Sequence, residues 1–156
     1  MYNSPTCGQL DILAMKKRIV SYMTEIKEAK YKIIVGSDSQ KLKSGSYDFV
    51  VAIAIHRVGA GGIYFWKREI VNKKMGLRQR MYQEAILSLQ SAENVFELFR
   101  ENGIAKYDIE IHVDIGRGGE TRVMITEIVG MVRGSGYDVK IKPQAFGASK
   151  VADRHT

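Results

Sequence analysis

The chain has 156 residues, 45% hydrophobic and 26% charged, which is the size and balance of a single globular domain, spanning 1–156, with a core of its own. Its 24 Lys and Arg against 17 Asp and Glu give a formal +7, a charge that favours meetings with polyanions without dictating a fold. Cys7 is the one cysteine, so an internal disulfide and a thiolate zinc site are excluded; with no export-signal pattern and no membrane-spanning apolar run, a cytoplasmic protein is expected.

Ile12, Met15, Ile19, Tyr22, Met23 and Ile26 recur at helical spacing and predict a leading amphipathic helix over roughly 9–29, so that 1–30 precede the core at 31–156. "YKIIVGSD", "SYDFVVAIAIHRV" and "GIYFWKREIV" then read as a three-stranded antiparallel meander. Its second connection, "GAGG", has strands on both sides and no helix after it, so Gly59, Gly61 and Gly62 suit a hairpin better than a phosphate cradle. A long helix is expected from about Leu77 to Glu101, a fourth strand in "YDIEIHVD", a helix over about 119–133, a fifth strand in "YDVKIK", and a short helix in "GASKVADRHT". The predicted fold class is α/β: a mixed five-stranded sheet in the order β-β-β-α-β-α-β-α, with an extra N-terminal helix and the first and fourth strands parallel neighbours.

That adjacency gives the acids their interest. Asp38 would end the first strand and Asp114 the fourth, at the carboxyl edge where open α/β sheets build their sites. Glu84 falls within the apolar arc of the long helix, where a carboxylate needs a partner; a salt bridge to a buried Arg or Lys, or a frayed first turn, is the plainer explanation. Asp153 sits in the polar "VADRHT" tail, where a solvated acid is the plainer reading. Taken together, strand end, early helix, strand end and late helix place four carboxylates within reach of one another. Such a group repels itself unless divalent cations neutralise it, and oxygen-only ligation selects Mg²⁺ or Mn²⁺.

With its strand order and its Asp38, Glu84, Asp114, Asp153 series, the chain resembles the ribonuclease H fold. "VGSDSQ", "EIHVDIGRGGET", "IVGMVRGSGYDVKIKP" and "ASKVADRHT" are similar to the small bacterial YkuK-type family of ribonuclease H-related nucleases, over nearly the whole chain from Tyr31 onward. The resemblance implies hydrolysis of nucleic-acid phosphodiesters by two ions at those four acids, with Asp38 the shared ligand and no side-chain nucleophile. A module that keeps the fold and binds nucleic acid without turning it over is the alternative.

Other residues invite a role. Glu110, His112 and Asp114 project from one face of the fourth strand, and His112 suits a hydrogen-bonded polar layer or the orientation of Asp114 as well as it suits ligation. His155, near Asp153, would protonate a leaving group or simply be solvated. "IGRGGET", with Arg117, opens a helix where backbone N–H groups can hold phosphate, but it lacks the G-K-[ST] ending of a nucleotide loop. Lys67, Arg68, Lys73, Lys74, Arg78 and Arg80, with Tyr64 and Trp66 beside them, form either a track for a nucleic-acid backbone or a solvated rim. The leading helix and the outer meander strand are open to pairing with a second copy.

Overall fold

The computed structural model describes residues 1–115, 122–141 and His155. Within them the elements run β1 (Tyr2–Ser4), β2 (Gly8–Leu10), α1 (Ile12–Thr24), β3 (Tyr31–Lys41), β4 (Tyr47–Arg57), β5 (Gly62–Val71), α2 (Leu77–Phe99), β6 (Ile109–Val113), α3 (Arg122–Gly134) and β7 (Asp138–Ile141). They build one mixed sheet of seven strands, ordered β2-β1-β5-β4-β3-β6-β7.

Five of those strands are the ones read from sequence, and β3 and β6 are parallel neighbours as expected. Two were not foreseen. β1 and β2 form a small hairpin, joined to the sheet through Asn3 opposite Trp66; at three residues each they are too short to show an alternation. β5 is therefore not the outer strand that the five-stranded reading made it.

The hairpin also corrects the leading helix. Gln9 and Leu10, assigned to it by periodicity, belong to β2, and α1 starts at Ile12 behind Asp11, whose carboxylate accepts the Ala14 amide at 2.8 Å as an N-cap. Nor is α1 an appendage: Met15, Ile19 and Tyr22 are buried with the main core. Its far end is fastened by Arg57, whose guanidinium lies 4.1 Å from the Tyr22 ring centroid and donates to the Tyr22 carbonyl, the Tyr31 hydroxyl and Glu25. The glycine connection is the expected hairpin: Gly59 and Gly61 take positive φ, and the Arg57 amide bonds the Gly61 carbonyl at 2.9 Å.

Strand alternation divides the sheet into two unlike faces. Ile33 and Val35 of β3, Phe49, Val51, Ile53 and Ile55 of β4, and Ile109 and Ile111 of β6 point to the first, where they pack with the buried residues of α1, α2 and α3. On the second, Ile34, Val50 and Ala52 form a smaller apolar group with Ala54 and Trp66. Of the expected terminal helix only His155 is described; the start of the 119–133 helix, like Arg117, lies outside the described residues. No helix among the described residues is long and apolar enough to cross a membrane.

Candidate functional site

Asp38 is not the end of its strand. β3 runs on to Lys41, and Asp38 is paired across β4 with Val50. Its pairing with β6, however, stops at Gly36 opposite His112. Two residues further on along each segment comes an acid: Asp38, still within β3, and Asp114, just past the end of β6. The two carboxylates thus stand at matching levels where the parallel ladder ends. By alternation Asp38 belongs to the second face, with Gly36 and Val50, while the flanking Ser37 and Ser39 turn to the first.

Those serines meet α2. The Ser37 hydroxyl donates to the Glu84 carbonyl at 2.6 Å and receives a 3.0 Å bond from Ser88. Ser39 donates to the Glu84 carboxylate at 3.1 Å. Arg80, one helical turn before Glu84, locks Ser39 in turn, with 2.8 Å bonds to its hydroxyl and its carbonyl. The salt bridge expected as the plain explanation of Glu84 is accordingly replaced by a serine carrying the contact, with the arginine behind it.

Glu84 is half-buried, its carboxyl the enclosed part, and its pKa is raised to about 8. Desolvation is the largest cause; the charge of Asp38 comes next and that of Asp114 adds to it, while the Ser39 bond and Arg80 oppose them. Acids from β3, α2 and the end of β6 therefore act on one another. Beside Glu84 a small cavity of about 10 Å³, lined by Ser37, Ser88, His112 and Asp114 among others, has room for about one water. Among the described residues no set of three or more His, Cys, Asp or Glu side chains is arranged to hold a metal ion. Asp153 lies outside the described residues.

His112 is buried and its Nε2 lies 3.0 Å from the Glu110 carboxylate, which also faces Lys32 at 3.5 Å. Burial lowers its pKa against the opposing pull of Glu110. It belongs to a polar layer of the second face, next to the strand end that carries Asp114. The basic set is less free than a rim: Arg68 pairs with Asp48, Arg78 with Glu127, and Arg80 is held by Ser39, while Lys73 and Lys74 stay exposed. His155 is half-buried and stacks on Trp66.

Sequence reasoning passed over Ser37, Ser39, Ser88 and Asp48. Arg80 had a signal, since an arginine four residues before an acid shares its helix face. Asp48, buried at the start of a strand whose middle is apolar, was equally visible as an acid in the wrong place.

A family profile described as Ribonuclease H-like matches residues 14–156. The chain belongs to the ribonuclease H-like family. A relative in Bacillus subtilis (strain 168), the uncharacterized protein YkuK, is 26% identical over 161 residues, which cover 96% of this chain and 92% of that one. The mixed sheet with its helices is compatible with that family.

Proposed function

We propose that this ribonuclease H-like chain is a divalent-metal-dependent nuclease that hydrolyses nucleic-acid phosphodiester bonds, with Asp38, Glu84, Asp114 and Asp153 as ligands for two ions of Mg²⁺ or Mn²⁺. The observation that carries this reading is the state of Glu84. Its carboxyl is enclosed, oriented by Ser39, and driven toward protonation by burial and by Asp38 and Asp114. A carboxylate kept in that company gains most when a cation arrives. The donor set is all oxygen and suits a hard ion.

When bound, Mg²⁺ or Mn²⁺ supplies charge neutralisation at the phosphate and a water acidified enough to attack it. The protein's share is placement. Asp38, on β3, would be the ligand common to the ions; Ser39 and Arg80 fix the Glu84 carboxylate, and Ser37 fixes the helix turn that bears it. No side-chain nucleophile takes part. Exposed Lys73 and Lys74 lie in the loop before α2 and attract the polyanion.

The test has two arms. Mn²⁺ is expected to raise the melting temperature of the wild type and not that of Asp38→Asn or Asp114→Asn; an equal response in all three rejects the ligand assignment. A Mn²⁺-dependent cleavage screen over labelled single strands, duplexes, hybrids and junctions is expected to find one substrate class that the wild type cuts and Asp38→Asn leaves intact. Binding without cleavage by the wild type would instead establish the idle module.

A further inference from the structure

Between α3 and β7 lies a groove of about 910 Å³. Arg122 and Arg133 line it from the helix, and Lys140 from the strand. Spaced eleven residues apart, the two arginines fall on one face of α3, about 16 Å from each other along the helix axis. Thr126 and Val129 share that stripe. Both arginines are exposed, and no ion pair among the described residues engages either. The one acid of α3, Glu127, is turned instead to α2, where Arg78 pairs with it at 3.0 Å. Lys140 reaches Asp138 at 3.4 Å, but no acid is among the described residues that line the groove.

One end of the groove meets the candidate site. β6 and β7 are parallel, so α3 between them runs back along the sheet, and Arg122 at its start lies toward the finish of β7. There Ile141 stands opposite Val113, the residue before Asp114. A chain bound across Asp38 and Asp114 that continued toward β7 would meet Arg122 first and Arg133 a helix length further on. Between the arginines the floor is apolar, formed by Ile125 and Val129 of α3 with Val139 and Ile141 of β7.

We propose that the groove between α3 and β7 binds a single strand of nucleic acid, with Arg122 and Arg133 on its phosphates, and so receives an unpaired portion of the substrate beside the site. For the identity of the polyanion the inference rests on the nuclease reading above. Two guanidinium groups set apart over an apolar floor suit a chain whose phosphates recur along its length and whose unpaired bases have apolar faces to lay down. A duplex keeps those faces stacked inside and offers the floor little. An acidic protein segment would match the charges too, but the place beside Asp114 favours the nucleic acid, since one polyanion can then occupy site and groove together.

The test is fluorescence anisotropy in EDTA over a KCl series, with the whole chain as wild type, Arg122→Gln, Arg133→Gln and the double variant. Arg100→Gln, the same loss of charge just past the far end of α2, is the control. The probes are a labelled single strand, the corresponding duplex and polyglutamate. The wild type is expected to bind the single strand more tightly than the duplex. For the single strand, the slope of log affinity against log salt is expected to become shallower by about 0.7 with each groove arginine removed, and to stay unchanged in Arg100→Gln. Both groove arginines are exposed, so melting temperatures should match the wild type and separate lost binding from lost folding. A wild-type slope in the double variant, an equal change in Arg100→Gln, or a duplex bound as tightly as the single strand would each overturn the groove. Polyglutamate bound more tightly than the single strand, through the same arginines, would hand the groove to an acidic protein partner and overturn it as well. Because no metal takes part, each of these failures leaves Asp38-dependent cleavage standing. Absence of that cleavage beside arginine-dependent binding of the single strand would reject the metal site and keep the groove.

Discussion

Glu84 carries the pH dependence at the scale of single residues. Its pKa in the folded protein is about 8 against an ordinary 4.5, so the native state holds the proton more tightly than the unfolded chain does. The native state is then favoured fully below about pH 4.5, and that advantage is lost as pH rises toward 8. At about 1.4 kcal/mol per pKa unit the effect is large enough to read. With EDTA present, Glu84→Gln is expected to melt several degrees above the wild type at pH 8.5, with the gap closing near pH 4.5; parallel curves would refute the shift. His112 has the opposite sign. Its lowered pKa means stability is lost as pH falls below its ordinary 6.5, so His112→Asn should flatten the acid limb of the melting profile. Glu84 was legible in sequence because an acid in an apolar arc is conspicuous. Its partners were harder to see, because Ser39 reaches it only once β3 lies against α2.

Among the elements, α1 was found by its period but misjudged in role. Periodicity shows an apolar stripe without saying what it covers, and here Ile19 is wholly buried in the core that α2 and α3 share. Ile19→Ala is expected to cost about 2–5 kcal/mol in chemical denaturation; a surface helix would lose far less. The β1–β2 hairpin escaped notice for the reason its size gives, since three residues cannot display a pattern. The extent of β3 was misread because Gly36 and Ser37 look like a strand ending, yet the antiparallel ladder with β4 continues through them to Lys41. The parallel ladder does end there, and so Asp38 and Asp114 were matched correctly even though the strand was cut short.

For the whole molecule, the charge of +7 reads differently once its pairs are known. Arg68, Arg78 and Arg80 each have a partner within the fold and Lys67 lies over the Tyr2 ring, whereas Lys73 and Lys74 stand exposed in the loop before α2. Replacing both with Gln is expected to weaken binding to any nucleic acid alike and to lower the slope of log affinity against log salt by about 1 per lysine. Fluorescence anisotropy over a KCl series would show it. An unchanged slope would move the polyanion path to another surface.

The parallel ladder of β3 and β6 joins segments separated by two further strands and the whole of α2. Such a distant pairing closes late, because the intervening loop entropy must be overcome first. Until it closes, Asp38 and Asp114 are strangers. Anything that bridges them recognises the finished protein alone, and its grip should be felt as slower unfolding, with the early steps of folding left as they were.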